Sequence, residues 1–191
     1  MSEHVFYFDL GSPYAYLAAE RIAAIVPDVA WQPILVGALF KRNAYTSWGL
    51  GPERGANLDV IQRRAARYGL PPVRVHERWP GDMLAAMRAA TWAFHAGCGR
   101  AFAQAAFRRA FVDGEDLSDV EPLRAAARAA GLDPDVVAAG AATPDVKAAL
   151  RTATDAAWER GVRGVPTVVL DGRLYFGDDR LDDAAGAARP A

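Results

Sequence analysis

The sequence predicts an α/β fold in which a mixed four-stranded sheet is interrupted by a long α-helical insertion. Three observations carry that prediction. Strand, helix and strand patterns follow one another within residues 5–36; an alanine-rich helical pattern without strand alternation fills residues 37–160; and a hairpin pattern returns at residues 167–176. Residues 1–36 and 161–191 are therefore the sheet-bearing domain, with residues 37–160 inserted into it as a helical domain.

Residues 5–10 are apolar and β-prone, and Ser12 before Pro13 opens a helix. Serine caps the free N–H groups of a helix start, while proline brings a helical φ and lacks an N–H that would have been unpaired there. The helix over 13–26 presents Tyr16, Leu17, Ile22 and Ile25, and residues 29–36 return to strand character. Such a crossover sets two strands side by side and parallel. Residues 39–57 carry Gly49, Gly51, Pro52 and Gly55, which mark a long irregular connection of the kind that often has a function. Further helices are expected over 58–68, 82–96, 99–113, 119–130 and 134–140, then over 146–160 behind a Thr143 cap. Asp171-Gly172 between the β-prone runs 167–170 and 173–176 fits a type I′ hairpin. Asp178 or Asp179 then caps a last helix reaching residue 188, with fraying over 187–191.

Charge gives no reason to expect a nucleic-acid partner, because 22 Lys and Arg against 23 Asp and Glu leave a net charge of -1 with scattered arginines. No basic start leads into an apolar run and cleavage site, and no stretch approaches the roughly 20 apolar residues of a membrane span. Cys98 is the single cysteine, so no intrachain disulfide or Cys-x-x-Cys pair is possible, and His4, His76 and His95 lack zinc spacing. The expectation is a soluble cytoplasmic protein with no metal and no membrane partner.

If the hairpin joins the parallel pair through its first strand, three distant segments meet on one sheet edge. These are Ser12 after the first strand, Val165 and Pro166 before the third, and residues 177–179 after the fourth. Sheets with parallel crossovers bind ligands outside strand carboxyl ends, so a pocket belongs here. Pro166 suits a strand opening because it has no N–H to give a ladder. A cis bond before it would turn the Val165 N–H and C=O outward, ready to pair with an extended peptide-like ligand. Ser12 would bring its hydroxyl to the same place, where an anion or thiolate is well held.

The ordered set Ser12-Pro13-Tyr14, Pro33-Ile-Leu-Val-Gly-Ala-Leu-Phe-Lys41, Arg67-Tyr-Gly-Leu-Pro71, Val112-Asp-Gly-Glu-Asp-Leu-Ser-Asp119, Val146-Lys-Ala-Ala-Leu150, Gly164-Val-Pro-Thr167 and Phe176-Gly-Asp-Asp-Arg-Leu181 covers nearly the whole chain. It resembles the 2-hydroxychromene-2-carboxylate isomerases and the related kappa-class glutathione transferases, a branch of the thioredoxin-like DsbA family. The resemblance implies a thioredoxin-like sheet, glutathione as cofactor, a small-molecule substrate and a homodimer. It also implies that Ser12 hydrogen-bonds the glutathione sulfur, that the Val165 backbone beside Pro166 pairs with the cysteinyl part, and that Asp179 lies near the γ-glutamyl amino group.

Departures from the family pattern mark the rest of the pocket. Asp178 stands where Ser, Asn or Gln is usual and adds a second negative charge. Asn43 comes about two positions before the family's asparagine, Arg54 is the nearest basic residue to its carboxylate-binding lysine, and Asp82 closes Pro80-Gly81-Asp82 where Pro-x-Asn is usual. Lys41 and Arg54 are by default solvated charges that can also meet a ligand carboxylate. Trp48, in the irregular connection, can line an aromatic pocket, while Trp31, Trp79 and Trp92 suit a core and Cys98 an inert thiol.

The activity implied is a glutathione-dependent cis-trans isomerisation of 2-hydroxychromene-2-carboxylate or a similar unsaturated acid from aromatic degradation. A borrowed thiolate would add to the conjugated side chain, the bond would rotate, and the thiol would leave. No histidine is placed by sequence to make Ser12 itself the nucleophile. The alternatives are a kappa-like transferase or peroxidase and a non-enzymatic binding module of the same fold. Disulfide exchange is disfavoured because Ser12 and Ala15 carry no thiols.

Overall fold

The computed structural model describes residues 4–187. β1 (Val5–Phe8) leads into α1 (Pro13–Ala19) and a single helical turn, α2 (Ile22–Ile25), before β2 (Ala30–Pro33). Then come α3 (Val36–Arg42), a 3-10 turn at Trp48–Leu50, α4 (Arg54–Arg67), α5 (Leu84–His95), and α6 (Gly99–Arg108) with a π-helical turn at Arg109–Asp113. α7 (Val120–Ala129), α8 (Pro134–Ala141) and α9 (Pro144–Glu159) precede β3 (Thr167–Leu170) and β4 (Arg173–Phe176). A 3-10 turn at Asp178–Arg180 leads to α10 (Leu181–Ala187); the expected reach of this helix to residue 188 and the fraying expected over 188–191 lie outside the described residues.

The sheet has the order β2-β1-β3-β4, with β1 parallel to β2 and antiparallel to β3, and β3 antiparallel to β4. Asp171 and Gly172 join the last pair at φ of 48° and 79°, the two positive values a type I′ turn requires. Ser12 caps α1 as the sequence predicts: its Oγ accepts the Ala15 N–H at 3.2 Å.

Both faces of the sheet are covered, so every residue of β1 is buried although successive side chains point to opposite sides. Phe6 and Phe8 pack with Trp31, Tyr16, Leu17, Phe107 and Leu181 on one face. Val5 and Tyr7 pack with Ile34, Leu39, Ala157 and Val169 on the other. Ala157 belongs to α9, so the last helix of the insertion lies on the sheet itself.

Two expectations are corrected. The helix over 13–26 breaks at Glu20 and Arg21, where no glycine or proline announces it. Tertiary contacts hold both residues: Glu20 pairs with Arg108 at 2.7 Å, and the Arg21 guanidinium lies 3.8 Å over the Tyr68 ring. The irregular connection over 39–57 shortens to residues 43–53, because α3 continues to Arg42 and α4 absorbs Gly55 in its first turn.

The helical layer packs α5 against α6, α8 and α9. The contact with α8 depends on Gly140, where a Cβ would stand 2.0 Å from Trp92 Nε1. Replacement of Gly140 by alanine must therefore move an indole ring that the surrounding core holds. Gly140→Ala is expected to destabilise the fold by about 1–3 kcal/mol, read as a lower melting temperature in a thermal unfolding scan; an unchanged midpoint would show that the helices part at no cost.

Candidate functional site

A groove of about 1250 Å³ opens where the end of β1, the start of α3 and the segment before β3 meet. Ser12 and the edge of Asp9 form part of its floor, beside Val165 and Thr167. One wall is aromatic. Tyr14 meets Trp48 edge-on at 5.8 Å between ring centres, and Trp48 meets Trp79 at 5.0 Å. Tyr45, Leu50, Leu174 and Phe176 form an exposed apolar rim. Lys41, Asn43 and Arg163 also line the groove, with Asn43 Nδ2 donating to the Arg163 carbonyl at 3.3 Å and the Arg163 guanidinium lying over the Trp158 ring.

The aromatic wall is fixed to the floor. The segment 71–83 crosses from α4 to α5, and in it Trp79 Nε1 donates to the Gly11 carbonyl at 2.9 Å, next to Ser12. Arg54 Nη1 donates to the Trp79 carbonyl at 2.5 Å, and Gly49 lets the ring approach so closely that a Cβ would lie 2.8 Å from it. Tyr14 Oη donates to Asn57 Oδ1 at 2.9 Å. Burial pushes the Tyr14 phenol above its usual range, so at neutral pH it is a hydrogen-bond donor and no base.

Asp9 is 1% exposed and has no ion-pair partner among the described residues. Its Oδ1 accepts the Gly11 N–H at 2.8 Å and its Oδ2 accepts the Val36 N–H at 2.8 Å. Burial pushes its pKa from an ordinary 3.8 to about 6, against the opposing pull of those two N–H groups. A carboxyl with a raised folded-state pKa favours folding fully below its unfolded value and loses that contribution as the pH rises through about 6. Holding the charge at neutral pH costs ~3 kcal/mol.

Of the residues expected at the site, Ser12, Val165, Asn43, Lys41, Trp48 and Asp82 line the groove. No hydrogen bond reaches the Val165 backbone among the described residues, and its bond to Pro166 is cis. The Lys41 side chain likewise has no hydrogen-bond or ion-pair partner among the described residues, whereas Asp82 Oδ1 accepts the Leu84 N–H at 2.8 Å. Arg54, Pro166, Asp178 and Asp179 do not line the groove. Arg54 turns to the Trp79 carbonyl, and the Pro166 carbonyl accepts the Gly177 N–H at 2.9 Å.

Asp178 is corrected most clearly. It is 0% exposed, with Oδ1 2.5 Å from Arg64 Nη1 and Oδ2 accepting from Tyr68 Oη at 3.0 Å, so it offers no second charge to a ligand. Asp179 is half exposed and pairs with Arg64 Nη2 at 2.8 Å. The sequence reading missed Asp9, Trp79, Asn57 and Arg163. A charged residue closing an apolar strand three places before Ser12 is a legible signal for the first. Nothing local distinguishes the other three. Among the described residues, no three His, Cys, Asp or Glu converge as a metal site, and no helix is long and apolar enough to cross a membrane.

The DSBA-like thioredoxin domain matches residues 5–188. The chain belongs to that family. A 2-hydroxychromene-2-carboxylate isomerase from Sphingobium xenophagum is 30% identical over 190 residues, covering 93% of each chain. A protein of the same name from Pseudomonas sp. (strain C18) is 29% identical and covers 96% of this chain and 90% of its own. A solved 2-hydroxychromene-2-carboxylate isomerase superposes with a TM-score of 0.81 at 23% identity, over 96% of this chain and 93% of the other. A probable DsbA oxidoreductase from Streptomyces coelicolor gives 0.78 at 24%, over 100% and 92%. The chain is thus an enzyme of an isomerase branch of the DSBA-like family, and its thioredoxin-like sheet is that family's.

The Arg64 and Asp178 pair behind α1 is open to a stability test. Burial already raises the Asp178 pKa, and Arg64 is the main group holding it down. Arg64→Met is expected to cost ~3 kcal/mol at neutral pH by leaving a buried carboxylate without its cation. The sign with pH follows: the deficit in unfolding free energy against wild type shrinks from pH 8 to pH 5 as Asp178 takes up a proton. A pH-independent deficit in denaturant unfolding would assign the cost to lost packing.

Proposed function

We propose that the protein is a glutathione-dependent cis-trans isomerase acting on 2-hydroxychromene-2-carboxylate or a similar unsaturated aromatic-derived acid. The observation that carries this reading is the position of Ser12 in an aromatic-walled groove, next to a Val165 backbone that has no hydrogen-bond partner among the described residues. The names of the curated relatives support the substrate class.

The residues present fit glutathione at its cysteinyl part. Among the described residues the Val165 N–H and C=O are free to pair with an extended backbone, whereas Asp179 lies outside the groove with its carboxylate paired to Arg64 and is no part of the proposed site. When bound, glutathione supplies a thiol nucleophile that adds reversibly to a conjugated double bond and so removes the barrier to rotation. Ser12 Oγ accepts from the Ala15 N–H, which leaves its own proton to donate to a sulfur anion. The Tyr14 N–H, unpartnered among the described residues, adds a second donor beside it. Both favour thiolate over thiol and lower its pKa.

The far side of the groove suits an aromatic acid. Tyr14, Trp48 and Trp79 offer faces and edges to a ring, and the apolar rim excludes water from the reacting bond. Lys41 lines the same groove and can attract a substrate carboxylate, whereas the Arg163 guanidinium lies over the Trp158 ring and donates to the Trp158 carbonyl at 2.7 Å. Ser12 and Ala15 carry no thiol pair, so the oxidoreductase chemistry named for some structural neighbours has no residues here.

The test is the absorbance change of 2-hydroxychromene-2-carboxylate with and without glutathione, for wild type and Ser12→Ala. Turnover is expected only with glutathione and should fall about 10²-fold in the variant, as when one donor to a developing anion is removed. Equal rates for the two proteins would remove Ser12 from the mechanism, and turnover without glutathione would remove the cofactor.

A further inference from the structure

We propose that Asp9 is a positioning residue of this site, its buried carboxylate clasping the turn that carries Ser12 to the turn that opens α3. The proposal rests on the reading of Ser12 as the thiol-holding residue.

The geometry is that of a staple. β1 and β2 stay paired through Phe8 and Pro33, and the Ile34 N–H still donates to the Phe8 carbonyl at 3.0 Å. Beyond that point the two chains diverge, one into α1 and the other into α3, and no ladder joins them. Asp9 replaces the ladder. One carboxylate oxygen takes the Gly11 N–H, the other takes the Val36 N–H, and the Asp9 carbonyl takes the Ser12 N–H at 3.1 Å. The turn opening α3 has one further tether, the Leu35 N–H to Thr154 Oγ1 at 3.1 Å. Ser12, Leu35 and Val36 all line the groove, so the clasp sets the distance between its two sides.

Only an ionised carboxylate meets this pattern in full, because it alone presents acceptors on both oxygens. A protonated carboxyl or an amide turns a hydrogen toward one of the two N–H groups. Neighbouring charges do not take the place of the clasp. Tyr14 on α1 donates to Asn57, Arg42 on α3 pairs with Asp155 on α9, Asp82 before α5 accepts from Leu84, Arg163 donates to the Trp158 carbonyl, and Lys41 lines the groove with no side-chain partner among the described residues. None of them bonds Asp9. Burial places the titration of Asp9 at about 6, inside the range of ordinary assays.

The first measurement needs no substrate. In a pH series of amide spectra of the wild-type protein, the Gly11, Ser12 and Val36 signals are expected to shift together with one midpoint near 6. Signals that stay still between pH 5 and pH 7.5, or that move with separate midpoints, would overturn the clasp whether or not any variant folds. The second measurement compares Asp9→Asn with wild type in glutathione-dependent turnover from pH 5 to pH 8. Wild-type kcat/KM should fall below the same midpoint. The variant should lose at least about tenfold at pH 7.5 and show no such limb, with its melting temperature unchanged or raised because a buried charge is gone. Wild-type rates and an unchanged pH profile in the variant would sink the positioning role. Joint titration of the three amides in a protein without turnover would instead remove the isomerase reading and leave the clasp standing.

Discussion

The chain leaves β1 at Phe8 and is helical by Pro13, and in that short span it must satisfy backbone N–H groups that have lost their strand partner and lie away from water. One buried carboxylate solves most of the problem. Asp9 takes two N–H groups through its side chain and a third through its carbonyl, and Ser12 completes the turn by capping α1. The buried charge is costly, yet the same bonds hold the groove floor in one shape. Hydrogen bonds to a charged acceptor are about twice as strong as neutral ones, which offsets part of that cost.

Around this turn the sheet is small, with strands of four residues each, so its faces cannot supply a groove by themselves. The helical insertion supplies the wall. The segment between α4 and α5 brings Trp79 onto the Gly11 carbonyl, Trp48 packs tilted against Trp79, and Tyr14 meets Trp48 edge-on. Behind α1, Arg64 joins α4 to the turn after β4 by holding Asp178 and Asp179 together. Wall and floor are thus fastened by a few polar contacts set in a largely aromatic and aliphatic surround. That arrangement suits a site which must exclude water while keeping selected donors in place.

Much of the fold was legible in the sequence because local chemistry dictated it. Ser12-Pro13 suited a helix start, Asp171-Gly172 suited a tight hairpin, and the burial of every residue of β1 matches its unbroken apolar run. Failures fell where distant residues overrode local preference. Glu20 and Arg21 are good helix formers, yet long-range pairing with Arg108 and stacking on Tyr68 coincide with the break between α1 and α2. Asp178 reads as an exposed cap in sequence, but Arg64, more than a hundred residues earlier, makes its burial possible.

The sequence by itself determined the strand–helix–strand start, the closing hairpin and the lack of a redox pair at Ser12, while the strand order and the edge at which Ser12 and Val165 meet followed from it only on the condition that the hairpin joins β1, as it does. These depend on residue types at neighbouring positions and on the handedness of a crossover, which are local or topological constraints. Only the tertiary structure decided which residues beyond Ser12 and Val165 reach the groove. Trp79 came in through a bond to the Gly11 carbonyl, Arg54 turned away to the Trp79 carbonyl, and Asp9 became a clasp because Val36 arrived beside it. Partners of that kind are separated by tens of residues, and no pattern along the chain records which N–H a buried carboxylate will find.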